Sequence, residues 1–115
     1  MIDYHKEFLS ALKTVMPNVY HESKLTNGTK TPCISYMELT NIDAATGDTL
    51  GYSRLAYQVK VWGHDLETIQ NNVLRVDSVL RALGFKRFSS QELTDKNTSL
   101  TQKILGYECL ALEYY

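Results

Sequence analysis

The stretch Ser53-Arg54-Leu55-Ala56-Tyr57-Gln58-Val59-Lys60-Val61-Trp62, with the segment from Gly63 to Gly84 that follows it, carries most of what the sequence says about fold. Leu55, Tyr57, Val59 and Val61 share one parity, and Arg54, Ala56, Gln58 and Lys60 share the other. A period of two is that of a strand with one face in the core and the other at least partly wet. Gly63-His64 breaks the strand, and Asp65 stands where a carboxylate caps the free amides of a helix. Leu66, Ile69, Val73, Val76, Leu80 and Leu83 then step by three and four residues, a stripe able to cover a sheet. Gly84 follows where left-handed backbone ends a helix, and Asp77 and Arg81 have the spacing of a surface ion pair.

Upstream, Tyr4, Phe8, Leu12 and Val15 recur at helical spacing, with Ala11 and Met16 widening the stripe, so a helix is expected over residues 3–16, capped by Asp3 and ended by Pro17-Asn18. Residues 19–25 read as a short strand, and Thr26-Asn27-Gly28-Thr29 as a turn leading by a hairpin into an extended run from Pro32 to Leu39. The small, polar segment 41–48 reads as a loop. Downstream, Phe85 to Ser90 reads as a short strand, 94–99 as a polar turn and Leu100 to Tyr114 as a long final strand. Both parities of that last strand are apolar around Gly106, which marks either a bulge or a strand covered on both faces. The expected architecture is α+β, one domain over residues 1–115. Its order is α-β-β-β-α-β-β, an antiparallel or mixed sheet of about five strands with two helices on one face.

The chain has 115 residues, 43% hydrophobic and 22% charged, with Lys+Arg 12 against Asp+Glu 13 for a net charge of -1. A domain of this size buries roughly two thirds of its unfolded surface without disulfides or metal. The composition excludes disorder and a membrane span, and near-neutral charge excludes a whole-molecule field that recruits nucleic acid. Acids near the N-terminus and the lack of a long apolar run there argue against a signal peptide, so the protein is expected to stay inside a cell. Cys33 and Cys109 are far apart with no second cysteine near either, so both are read as buried thiols.

A search for chemistry finds no catalytic, metal or cofactor set. His21-Glu22 begins like a zinc-protease helix, but Leu25 stands where the second histidine belongs. His5, His21 and His64 share no ligand spacing. Gly47-Asp48-Thr49-Leu50-Gly51 lacks the Lys-Thr end of a phosphate loop. Glu22 and Glu38 are expected as solvated neighbours across the proposed hairpin. Arg75, Arg81, Lys86 and Arg87 near the end of the second helix read as solvation and dipole complementarity, with weak phosphate contact as the alternative. Two helices cannot cover both faces of a five-strand sheet. Tyr52, Trp62, Tyr114 and Tyr115 are therefore candidates for burial by other subunits, against the simpler reading of scattered surface aromatics.

Three stretches, Pro32-Cys33-Ile34-Ser35-Tyr36, Tyr57-Gln58-Val59-Lys60-Val61-Trp62 running into the 65–83 segment with Leu83-Gly84-Phe85, and Lys103-Ile104-Leu105-Gly106-Tyr107-Glu108, stand in an order that resembles the small tail-terminator or tail-completion proteins of long-tailed bacteriophages and prophages. The likeness spans roughly residues 1–114 and rests on order and hydrophobic pattern. It implies a non-enzymatic virion subunit without cofactor, assembled in the host cytoplasm into a homo-oligomeric, typically hexameric ring. That ring caps the head-proximal end of the tail tube, stops tube growth and offers a docking surface to the head connector. The implied partners are the chain itself, the major tail tube protein and the head connector or neck protein, with the genome passing through without sequence-specific binding and no membrane involved. Alternatives are a neck or head-closure subunit of the same virion, a small cytoplasmic enzyme using Cys33 or Cys109, and an RNA-binding module. Docking residues concentrate on loops held by a rigid scaffold. The candidate interface therefore comprises Asn41, Asp43, Thr46, Gly47 and Asp48, the turn residues Asp95, Lys96 and Asn97, and the aromatics Tyr52, Trp62, Tyr114 and Tyr115.

Overall fold

The alternating stretch becomes the middle of a five-stranded sheet. The computed structural model describes residues 4–45 and 50–114, with side chains over 4–42 and 53–111. In chain order the elements are α1 (His5–Lys13), β1 (Val19–His21), a 3-10 turn (Glu22–Lys24), β2 (Cys33–Ala45), β3 (Leu50–Gly63), α2 (Leu66–Ala82), β4 (Lys86–Thr94) and β5 (Thr101–Tyr114). The sheet order is β1-β2-β3-β5-β4. Every pairing is antiparallel except β1 with β2, so the sheet is mixed.

Both helices lie on one face. Phe8 and Leu12 of α1 and Ile69, Val73, Val76 and Leu80 of α2 join Ile34, Tyr36, Leu55, Tyr57, Val59, Val61, Leu105 and Tyr107 of the strands in one buried cluster. An aromatic knot closes the α1 end: the Phe8 ring stacks on Tyr57 and meets Phe85 edge-on, with centroids 4.1 and 5.2 Å apart. Asp65 caps α2 as expected, its Oδ1 accepting from the Glu67 amide at 3.3 Å, and Gly84 takes φ 103° just past the helix end.

Several expectations are corrected. The segment at 26–29 does turn, its Thr26 carbonyl accepting from the Thr29 amide at 3.1 Å, but it does not close a hairpin. β1 runs parallel to β2, with Val19 opposite Ile34, because the 3-10 turn and the following residues carry the chain back before β2 begins. Glu22 and Glu38 are therefore not cross-strand neighbours. Residues 41–45 belong to β2 and are paired with 51–55 of β3, so this segment continues the strand where a loop was expected. The part of the expected loop at 46–48 lies outside the described residues, as does the proposed Asp3 cap. α1 stops at Lys13, with Thr14 Oγ1 donating to the Ala11 carbonyl. Leu66 is 59% exposed, so the buried stripe of α2 begins at Ile69 and not at Leu66.

Of the two readings of Gly106, the bulge is the one observed, and it lies in the partner strand. The ladder between β4 and β5 slips between Arg87 and Ser89. A Cβ at Gly106 would stand 2.6 Å from the Phe88 ring and collide with the Ser89 hydroxyl. Glycine is thus required where the bulged strand folds Phe88 across its neighbour.

The long strands give the molecule its shape. β2, β3 and β5 run 13, 14 and 14 residues, and the principal extents are 54 × 24 × 23 Å. The radius of gyration is 15.4 Å, where a compact chain of this length has about 13 Å. A three-stranded arm therefore extends past β1 and β4.

Candidate functional site

Residues paired across an antiparallel ladder share a face, so the register shows which side chains the helices leave uncovered. Ile42, Arg54 and Leu110 form one row across β2, β3 and β5 on that open face, and Ile42 and Leu110 are 57% and 58% exposed. Phe88 and Leu93 of β4 and Leu39 at the β2 bulge are exposed as well. Large apolar side chains gathered on one sheet face are the usual mark of a protein contact surface. Sequence reading expected an uncovered face but assigned its stickiness to aromatics and missed Ile42, Leu110 and Phe88. For Leu110 the available signal was its parity opposite Leu105 and Tyr107. Ile42, by contrast, shares the parity of the core residues Ile34 and Tyr36 and is turned outward only by the bulge between Glu38 and Thr40, as Phe88 is by the bulge between Arg87 and Ser89.

At the β1 end the open face is partly closed by a polar network. The Ser35 hydroxyl, fully buried, donates to Glu22 Oε2 at 2.7 Å and accepts from Trp62 Nε1 at 3.0 Å. Lys60 Nζ donates to Glu22 Oε1 at 2.9 Å and lies 5.7 Å from the Trp62 ring centroid. The 3-10 turn is thereby pinned onto β2 and β3. Trp62 is half-buried and already engaged within the chain.

The sequence-derived interface residues fall at two opposite ends of the long strands. Asn41 and Asp43 lie on the outer arm of β2, and Tyr52 and Tyr114 lie on β3 and β5 near the same end. Thr46, Gly47, Asp48 and Tyr115 lie outside the described residues. Asp95, Lys96 and Asn97 are exposed in the turn between β4 and β5, whose Asp95 carboxylate accepts from the Asn97 amide at 2.9 Å. Trp62 belongs to that second end, and with Asp95 it lines a cleft of about 550 Å³.

That cleft also receives Cys33 and His64. The set superficially resembles a nucleophile with its base, but burial and the nearby Glu22 charge push the Cys33 thiol up to about 11. Burial does the same to Cys109, to about 11. A working thiol nucleophile needs the opposite shift. His5 and His21 both pack on the Tyr36 ring, at 5.6 and 5.4 Å between centroids. Among the described residues no cluster of three metal-ligating side chains forms.

The basic residues are drawn into the fold. Asp77 takes Arg81 Nε at 2.7 Å and lies 3.9 Å from Arg87, and Arg75 donates to the Thr14 carbonyl at 3.3 Å. Three of the four cations proposed for phosphate contact therefore have internal partners. No helix among the described residues is long and apolar enough to cross a membrane.

No protein-family model matches the chain, and no curated protein matches it. Among solved structures, a chain of the "Virion of native gene transfer agent (GTA) particle" has the same fold. It aligns at a TM-score of 0.65 and 12% identity, over 94% of this chain and 91% of that one. At that identity the similarity is one of fold.

Proposed function

We propose that this protein is a structural subunit of a phage-like particle, and within it the tail terminator: a ring of copies that caps the head-proximal end of the tail tube, stops tube growth and receives the head connector. The observation that carries this reading is an end-to-end fold match to a chain of a gene transfer agent virion. The open apolar face and the elongated arm support it, because a subunit that ends a polymer needs contacts to copies of itself and two different surfaces for what lies above and below. No catalytic activity is part of the proposal, and the high thiol pKa values are in keeping with that. Electron microscopy of tail tubes growing with and without the purified protein tests it. Rings at one tube end and arrested growth are expected. Tubes that lengthen unchanged, or density found only on head connectors, would overturn the terminator assignment.

A further inference from the structure

Among the described residues, the two outer edges of the sheet are open in complementary places. β1 covers β2 only from Ile34 to Tyr36, so no strand of the described residues flanks β2 beyond that point. On the other side β4 is the last strand, nine residues long and exposed along its whole length, with no proline to block pairing. Such edges are templates for pairing with another chain unless something covers them. We propose that β4 of one copy pairs antiparallel with the outer arm of β2 in the next copy, so that the sheet continues head to tail around a closed ring.

Three features select this occupant. The first is polarity. β2 runs parallel to β5, and β4 antiparallel to β5, so β4 beside a following β2 continues the antiparallel alternation without inverting the next copy. The second is length, because the free part of β2, residues 38–45, is matched by the nine residues of β4. The third is offset. With β3 as a ruler, β4 lies level with Gly63 to Ala56, whereas the free arm of β2 lies level with Tyr57 to Gly51. Bringing one edge against the other needs a shift of about five residues, roughly 17 Å, over four strand spacings of roughly 19 Å in all. That corresponds to a strand tilt of about 40°, within the range closed sheets adopt. A homotypic β4–β4 contact would leave the β2 arm unpaired and would stop at a dimer.

The inference deepens the ring reading and rests on it, and the test separates the two. Gln91→Cys on β4 is combined under mild oxidation with Thr40→Cys or Ile42→Cys on β2; all three positions are exposed and face the same side of the sheet. A mixture of the two single variants should give a disulfide-linked dimer while neither variant alone does, and one chain carrying both cysteines should give a ladder of higher multimers. Cross-linking by Gln91→Cys alone would overturn the inference in favour of a homotypic contact, as would a chain that stays monomeric at its solubility limit. Rings on tail tubes without the mixed cross-link would overturn this inference and leave the terminator reading standing. Cross-linked rings that ignore tubes would do the reverse.

Discussion

The Tyr107 hydroxyl, on the buried face of β5, donates to Asp77 Oδ1 of α2 at 2.9 Å. The same carboxylate takes Arg81 at 2.7 Å, so one acid ties the helix to the sheet and pairs with the cation of its last turn. Burial alone would raise the Asp77 pKa, but the Arg81 and Tyr107 hydrogen bonds and the charges of Arg81 and Arg87 outweigh it and hold it below the ordinary carboxylate value. Burial, with the hydrogen bond to Asp77 and its charge, pushes the Tyr107 phenol well above its usual value.

Stability should therefore fall at both extremes of pH. A depressed carboxylate contributes above the unfolded value of about 4 and loses that contribution as pH falls through its folded value. A raised phenol contributes fully below about pH 10 and loses its contribution as pH rises beyond. Urea midpoints across pH should show both limbs. Tyr107→Phe should flatten the alkaline one and cost about 1–2 kcal/mol at neutral pH. An unchanged alkaline limb in that variant would refute the assignment.

The Phe8 ring sits between Tyr57 and Phe85, and it is fully buried. Phe8→Ala should cost about 3–5 kcal/mol in denaturant titration, with Phe8→Leu well below that. Equal losses would mean that α1 docks without the ring.

Gly106→Val should destabilise by about 1–3 kcal/mol, because the added carbons occupy the place of the Phe88 ring. Adding Phe88→Ala should recover part of the loss. Additive costs in the double variant would show that the two positions do not share that space.

Glu22 joins Lys60 and Ser35 in a half-buried network, so removing one member leaves the others unsatisfied. Glu22→Ala should cost about 1–3 kcal/mol, and a double change of Glu22 and Lys60 to Met less than the sum of the single changes. Glu22→Gln should also lower the Cys33 pKa, which titration of thiol absorbance would detect.

Both native thiols should react slowly. With each pushed up to about 11 from an ordinary 9.0, alkylation at neutral pH should run about a hundredfold slower in the folded than in the urea-unfolded protein. A fast phase in the native protein would show that Cys33 or Cys109 is reactive, and the single variants Cys33→Ser and Cys109→Ser would say which.

What the sequence determined alone was what depends on short-range periodicity and local hydrogen bonds. The Leu55 to Val61 alternation, the stripe of α2, the Asp65 cap, the Gly84 stop and the Asp77–Arg81 pair could all be read directly. Each involves residues a few positions apart, whose geometry the backbone repeat dictates.

Tertiary structure decided the rest. Nothing near residues 26–29 shows that β1 runs parallel to β2, since a turn signal gives a change of direction and not the partner found afterwards. The meeting of Glu22 with Ser35 and Lys60 and of Tyr107 with Asp77, and the gathering of Cys33, His64 and Asp95 around one cleft, join residues distant along the chain. Such contacts depend on strand register, and register is chosen by the burial of whole faces. The same holds for the open edges of β2 and β4. An edge is an absence of neighbours, and only the assembled sheet shows where its neighbours stop.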